Sequence, residues 1–348
     1  MMKQNLPVDA ETFHSTILQW FEINGRKNLP WQLNTNSYTV WISEVMLQQT
    51  QVETVIPYFL RFMQHFPDVE SLAQAELDSV LHFWSGLGYY ARGRNIHQAA
   101  KKIVSEFQGK LPKDLEQLQT LPGIGRSTAG AILSLGHGQT ASILDGNVKR
   151  VLARCFNIEG YVGESKILKK FWSIAVQLTP NESCQQYNQA MMDMGSLVCR
   201  RTKPLCDACP VSDYCQALKL NTIGLLPTKK AKKNKLVKAH SFYWIEDEQH
   251  RVFLVKRPPV GIWGGMWCLP TKDDLPFTKN RIIENQIKST FKQEFTHFSM
   301  QGTIYNLSEP MPAFIMDAGE YTWYDPVNPQ PLGLPTPIAN NIKVNRHE

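Results

Sequence analysis

No stretch of 18 or more apolar residues occurs in the chain, so a membrane-spanning helix is not expected. The opening MMKQNLPVDAETFH has no apolar segment of the kind a secretion signal requires. Both absences lead to the expectation of a soluble cytoplasmic protein. No internal repeat is evident, and 348 residues suggest about two domains. Charged residues make up only 20% of the chain against 43% hydrophobic, an ordinary globular balance with ample material for a core. Cysteine is scarce, seven residues in all, yet four of them fall inside CRRTKPLCDACPVSDYC, Cys199–Cys215. Acidic side chains are missing from PTKKAKKNKLVKAH, residues 227–240, which carries six lysines.

The formal net charge of +6 is unevenly spread. Residues 239–348 hold 10 Lys and Arg against 12 Asp and Glu, which leaves 27 against 19 for residues 1–238. A basic front suits a polyanionic partner, nucleic acid above all, although a solvated basic surface reads the same way. Residues 11–225 read as successive helices. ETFHSTILQWFEIN spaces Phe13, Ile17, Leu18, Trp20 and Phe21 as a helical stripe. SYTVWISEVMLQQTQVETVIPYFLRFMQHF continues as helix, with a break expected at Pro57. Asp114 is placed to cap DLEQLQTL, with Gln117 three residues on. Behind the lysine-rich stretch, HSFYWIEDEQHRVFLVKRP alternates with the period of strands. IIENQIKSTFKQEF reads as helix and YTWYDPVNPQPLGLPTPI as irregular. The expected division is a helical domain 1–225, a basic linker 226–238 and a smaller α/β domain 239–348.

In a reducing compartment, clustered cysteines hold metal more often than disulfides. The spacing C-x6-C-x2-C-x5-C places Cys206 and Cys209 in one knuckle, flanked at longer reach by Cys199 and Cys215. A zinc ribbon pairs two knuckles a dozen or more residues apart. One uneven loop suits the wider perimeter of an iron–sulfur cluster, but four thiolates serve either metal, so spacing leaves both open. Arg200, Arg201 and Lys203 give the loop cations that would contact phosphate or merely keep it wet. Cys155, Cys184 and Cys268 stand alone and read as buried small hydrophobes.

Three further motifs carry chemistry. LPGIGRSTAG (121–130) sits between two helices, and Gly123 and Gly125 permit a tight turn and close approach of a ligand. The following helix starts at once, so its free N–H groups face the turn, as in a helix–hairpin–helix that grips DNA backbone. WISEVMLQQTQV sets Glu44 among Trp41, Val45, Met46 and Leu47. Poor hydration there would raise its pKa toward that of a general acid; a solvent-facing helical glutamate is the plain alternative. Gln48, Gln49 and Thr50 follow as candidate base contacts. LDGNVKRVLAR puts Asp145 just before a helix, which is ordinary capping chemistry. It also offers the second carboxylate that cleavage of a glycosidic bond needs. GLGYYARGRN adds Leu87, Tyr89 and Tyr90 at a glycine-flexed tip, with Arg92 and Arg94 beside them. Such a tip would wedge between bases while the arginines hold phosphates, although core packing with surface charge reads the same way.

Together these motifs resemble the helix–hairpin–helix DNA glycosylases with an iron–sulfur loop, and within them the adenine DNA glycosylases of the MutY family. The resemblance implies an all-α glycosylase fold plus a C-terminal MutT-like (Nudix) domain. It implies removal of adenine opposite 8-oxoguanine or guanine in double-stranded DNA. Glu44 would protonate the leaving base, Asp145 would stabilise the oxocarbenium-like sugar, and Asn147 would orient water or Asp145. Gln48, Gln49, Thr50, Leu87, Tyr89, Gly123, Gly125, Arg126 and Ser127 would contact DNA. A [4Fe-4S] cluster would sit on Cys199, Cys206, Cys209 and Cys215. Endonuclease III relatives carry a lysine where this chain has Ser127, and a hydroxyl cannot form their Schiff base. A monofunctional enzyme is therefore expected rather than an oxidised-pyrimidine lyase; a non-catalytic damage-binding module is the other alternative. GIWGGMWCLP matches the Nudix pattern, but RIIENQIKSTFKQEF lacks the glutamate-dense R-E-x-x-E-E and offers only Glu284 and Glu294. The back domain should bind rather than hydrolyse. FTHF, with Phe295, Thr296 and His297, resembles the family's 8-oxoguanine-sensing Phe-Ser-His loop, with threonine for serine. A monomer in the cytoplasm, at the nucleoid in a bacterium, is expected.

Overall fold

The Asp9 carboxylate accepts from the Thr12 N–H at 2.9 Å and so starts α1 (Ala10–Asn24). Phe13, Ile17 and Phe21, one per turn, bury its inner face. The computed structural model describes residues 6–230, 235–275, 286–307 and 320–344. It divides into two units, Met1–Ala73 with Gln98–Ala231 and Gln74–His97 with Lys232–Glu348. After α1 come α2 (Pro30–Leu33), α3 (Ser37–Leu47), α4 (Val52–His65), α5 (Val69–Gln74), α6 (Leu77–Trp84) and α7 (Ala91–Phe107). Then follow α8 (Leu115–Gln119), α9 (Arg126–Ala131), α10 (Gly146–Cys155), α11 (Ser165–Leu178), α12 (Cys184–Asp193) and α13 (Gln216–Lys219). A π-helical turn extends α9 through Ile132–Gly136, and another extends α12 through Met194–Val198.

Asp114 caps α8 through the Gln117 N–H at 2.9 Å, as expected. The expected break at Pro57 is not found, because the chain interrupts its helix earlier, after Leu47. Gln49 takes the left-handed φ of 61°, and α4 then runs through Pro57. A mid-helix proline costs about 3 kcal/mol. Burial of Val55, Phe59 and Phe62 on α4 offsets that, since each large apolar side chain contributes about 1.5–3 kcal/mol.

In the second unit, β1 (Leu236–Trp244), β5 (Phe298–Asn306) and β4 (Ile287–Glu294) form one sheet in the order β1-β5-β4. β1 runs parallel to β5, and β4 antiparallel to it. A second antiparallel sheet has the order β3 (Trp267–Cys268), β2 (Val252–Lys256), β6 (Tyr321–Tyr324). Phe242, Trp244, Leu254, Met266, Met300 and Ile304 form the core with Ile338 and Ile342 of α14 (Thr336–Val344). Leu81 of α6 belongs to the same core.

Four expectations change here. Residues 287–294, read as helix, form β4, because Phe291 packs on Phe242 and Trp263 at ring distances of 5.6 and 6.2 Å. Its cross-strand partner is Gly302, where any Cβ would collide with the Phe291 ring. Glu284 lies outside the described residues. The stretch read as irregular contributes β6, and α14 begins at Thr336 within it. Leu236–Lys238, assigned to the linker, pair with Phe298–Met300 in the sheet, while residues 231–234 lie outside the described residues. Finally, residues 74–97 pack with the C-terminal stretch. No helix among the described residues is long and apolar enough to cross a membrane.

Candidate active site

Asn36 starts α3 by accepting from the N–H groups of Tyr38 and Thr39, both at 2.9 Å. Two turns on, Glu44 sits between fully buried Trp41 and Met46. Its carboxyl makes no hydrogen bond among the described residues and keeps a little solvent-accessible surface. Burial, and then the charge of Asp145, push its pKa up to about 8. A carboxyl in that state holds its proton at neutral pH.

Asp145 is the N-cap of α10, and its carboxylate accepts from the Val148 N–H at 2.8 Å. Burial leaves its pKa raised, and the N–H groups of Val148 and Asn147 with the charges of Arg150 and Lys149 offset only part of that rise. The expectation that this residue caps the helix is thus met. Glu44 lacks such donors, so Asp145 ionises first and its charge helps keep the proton on Glu44.

α9 packs on the segment that leads to Asp145 and, through its π-helical extension, on the start of α3. Ser127 Oγ accepts from the Leu144 N–H at 2.9 Å, next to Asp145. Gly130 lies against the Ser142 carbonyl, where a Cβ would collide. At the end of the π-helical turn, Gly136 packs on Ser37, where a Cβ would lie 2.6 Å from the Ser37 Cα. Hence the helix after the hairpin positions both the approach to Asp145 and the start of α3. Ser127, expected at DNA, turns its hydroxyl inward instead. The hairpin itself is exposed: Gly123 has φ 78°, and Gly125 N-caps α9 with no atom within 4 Å of a notional Cβ. The guanidinium of Arg126 stacks on Trp172 at 3.9 Å. Gln49 is exposed in its left-handed turn between Gln48 and Thr50.

Arg150 was not singled out from the sequence. Its Nη2 donates to Asn147 Oδ1 at 2.8 Å and to the Gly195 carbonyl at 2.5 Å, and its Nε donates to the Cys199 carbonyl at 2.7 Å. It ties the first turn of α10 to the first cysteine. Gly195 allows this, since a Cβ there would lie 2.5 Å from Asn147 Cβ. Buried Arg154, one turn on, donates to Cys199 Sγ at 3.4 Å and to the carbonyls of Arg200, Arg201 and Leu226 at 2.8, 3.3 and 3.0 Å. The only sequence signal was two arginines four apart on a helix leading from Asp145.

Cys199, Cys206, Cys209 and Cys215 line one pocket with Val198, Pro204, Leu205, Leu218, Ile223 and Arg154. Among the described residues no three His, Cys, Asp or Glu side chains converge as one metal ion would require. Four thiols around one apolar pocket are a donor set that either a zinc ion or an iron–sulfur cluster takes. Arg200, Arg201 and Lys203 are exposed on the same loop. Cys155, Cys184 and Cys268 are buried, as expected.

In the second unit, Tyr89 is 51% exposed with φ 49°, whereas Leu87 is 6% exposed and would have to leave its packing to enter DNA. Arg92 and Arg94, read as phosphate contacts, do other work. Buried Arg92 donates to the Leu87 and Gly88 carbonyls, and Arg94 donates to the Gly264 carbonyl at 2.6 Å. The turn between β4 and β5 is closed by Phe295 N–H donating to the Phe298 carbonyl at 2.9 Å, with the two rings stacked at 4.6 Å. Thr296 and His297 stand exposed at its tip. Glu294 accepts from Ser299 and from Lys235 and Lys292, which hold its carboxyl down at about 2.

Residues 42–176 match the family of HhH-GPD superfamily base excision DNA repair proteins, and residues 241–343 match the NUDIX domain. An adenine DNA glycosylase from Buchnera aphidicola subsp. Baizongia pistaciae is 39% identical over 347 residues, covering 96% of this chain and 98% of its own. The chain belongs to the adenine DNA glycosylase family. The Homo sapiens adenine DNA glycosylase is 42% identical over 218 residues, 60% of this chain and 40% of its own. Among solved structures, a thermostable thymine-DNA glycosylase aligns with TM-score 0.54 and 24% identity over 61% of this chain and 97% of its own. A non-covalent endonuclease III–DNA complex aligns with TM-score 0.53 and 21% identity over 62% of this chain and 98% of its own. These structures share the fold of the glycosylase part. The helical glycosylase fold joined to a Nudix-like part of mixed sheets, inferred from the motifs, is that of the family.

Proposed function

We propose that this chain is a base-excision-repair adenine DNA glycosylase that hydrolyses the N-glycosidic bond of adenine opposite 8-oxoguanine or guanine. The observation that carries the reading is the carboxyl pair of Glu44 and Asp145, one without hydrogen-bond donors and poised at about 8, the other held by helix N–H groups. Glu44 gives its proton to the departing adenine. Ionised Asp145 faces the positive charge that develops on the sugar, as the second carboxylate does in glycosidases generally. Asn147, held by Arg150, orients the attacking water or Asp145. Adenine must leave the duplex to reach Glu44, at a cost of a few kcal/mol of stacking and pairing. The exposed hairpin at Gly123–Arg126 grips the backbone, and Gln48, Gln49, Thr50 and Tyr89 probe the stack. Thr296 and His297 read the base opposite, with Phe295 as their packed support.

Cys199, Cys206, Cys209 and Cys215 would hold a [4Fe-4S] cluster, which when bound crosslinks the loop through thiolate–iron bonds. Ser127 supports a monofunctional enzyme, because its hydroxyl cannot form an imine and is engaged with Leu144. The protein acts as a monomer on double-stranded DNA. Single-turnover excision on a duplex with adenine opposite 8-oxoguanine tests the whole reading. Release of adenine is expected, with no abundant covalent adduct on borohydride trapping. Binding without release would make the chain a damage-binding module, and efficient trapping would make it a lyase.

A further inference from the structure

The second unit is assembled from two distant stretches of sequence, and the shorter one carries the tip at residues 86–89. That tip is left-handed at Gly86 (φ 102°), Gly88 (φ 71°) and Tyr89 (φ 49°). Tyrosine populates this region sparsely, so surrounding contacts must hold it. They come from both flanks. On the entering side, Ser85 Oγ donates to the Leu334 carbonyl at 2.7 Å, and His82 Nδ1 lies 3.3 Å from the Leu332 carbonyl. Gly333 packs on buried Leu81 so closely that a Cβ there would stand 2.6 Å from Leu81 Cβ. On the leaving side, the Tyr90 hydroxyl accepts from the Thr336 N–H at 3.2 Å and lies 3.1 Å from Thr336 Oγ1. Arg94 then donates to the Gly264 carbonyl at 2.6 Å.

We infer that Gly264 and residues 332–336 form a latch that sets the conformation of the 86–89 tip, with Ser85, Tyr90 and Arg94 as positioning residues for base eversion. The inference rests on the reading that this tip meets DNA. It gives the C-terminal stretch a second task besides facing the opposite base. A tip held before the encounter enters the stack without an ordering cost, whereas a loosened tip must be ordered at each encounter. The effect therefore falls on eversion and excision, not on the electrostatic grip on the backbone.

Tyr90→Phe keeps the ring and removes both bonds to Thr336. Thr336→Val removes the hydroxyl from the other side. In full-length protein without DNA, amide hydrogen exchange at residues 86–90 is expected to quicken by about 3- to 10-fold in Tyr90→Phe. The double variant should be no faster than Tyr90→Phe alone. Single-turnover excision opposite 8-oxoguanine should slow by a similar factor, with the Kd for the duplex within about twofold. Unchanged exchange at 86–90 in Tyr90→Phe, or exchange effects that multiply in the double variant, overturns the latch. Quickened exchange with unaltered excision overturns its role in positioning. If the wild type does not release adenine, the functional reading fails, and the exchange data alone decide the latch.

Discussion

The two units place the side chains proposed to act on DNA in opposite surroundings. In the first, Glu44 and Asp145 are only partly exposed, and burial dominates the titration of both. In the second, Tyr89, Thr296 and His297 stand in solvent at turn tips. Proton transfer to a leaving base needs a carboxyl that water does not stabilise as an anion, whereas reading a base needs a side chain already facing outward. Damage to the first unit should therefore lower the rate of excision, and damage to the exposed tips should lower discrimination.

The largest expected break in that contrast is Glu44→Gln. It should lower single-turnover excision by about 10²–10⁴-fold and leave duplex binding by gel shift intact. Comparable turnover in the variant would remove the acid assignment. Asp145→Asn should cost about 10²-fold in the same assay. Its thermal midpoint should barely move, because asparagine caps a helix as well as aspartate does.

Titration offers a third test. Because the Glu44 pKa is raised to about 8, its proton is present below that pH, and excision should fall as pH rises through it. The same shift has a stability consequence of definite sign. Between the ordinary 4.5 and about 8, the folded state binds a proton that the unfolded state has lost, so the wild type loses stability as pH rises through this window. Glu44→Gln should therefore gain in melting temperature relative to wild type from pH 5 to pH 8, and an unchanging gap would rule out the buried acid.

Arg150→Lys should lower excision by about tenfold, because an ammonium cannot reproduce the fork that reaches Asn147, Gly195 and Cys199. The smallest effect belongs to the exposed tip. His297→Ala should reduce the preference for 8-oxoguanine over guanine by about 3- to 10-fold while sparing excision opposite guanine. This substitution sharpens the comparison better than deleting residues 239–348. Deletion would also strip the cover from Leu81 and the partners of Ser85 and Tyr90.

Much of the fold was legible because helices of the first unit announce themselves locally. Asp114 and Asp145 cap where they should, and Phe13, Ile17 and Phe21 repeat with the helical period. The Pro57 expectation went wrong because burial on α4 outweighs the proline penalty, and β4 was misread because Phe291 is placed by partners far along the chain. The burial-raised pKa of Glu44 was legible from its apolar neighbours, and the convergence of the cysteines on one pocket from their spacing. Arg92 and Arg94 looked like phosphate ligands since charge alone does not say where a guanidinium points.

The sequence by itself determined the residue types at the candidate site, the helical frame around Glu44 and Asp145, the four-thiol loop and the serine at position 127. These are properties of short windows, where caps, periodicity and spacing act between near neighbours. Only the tertiary structure decided that Ser127 of α9 bonds Leu144 beside Asp145, that Arg150 joins Asn147 to Cys199, and that Ser85, Tyr90 and Arg94 bond residues 334, 336 and 264. Those contacts link backbone carbonyls and small residues across long sequence separations, and a carbonyl or a glycine carries no mark in the sequence of which distant side chain will reach it.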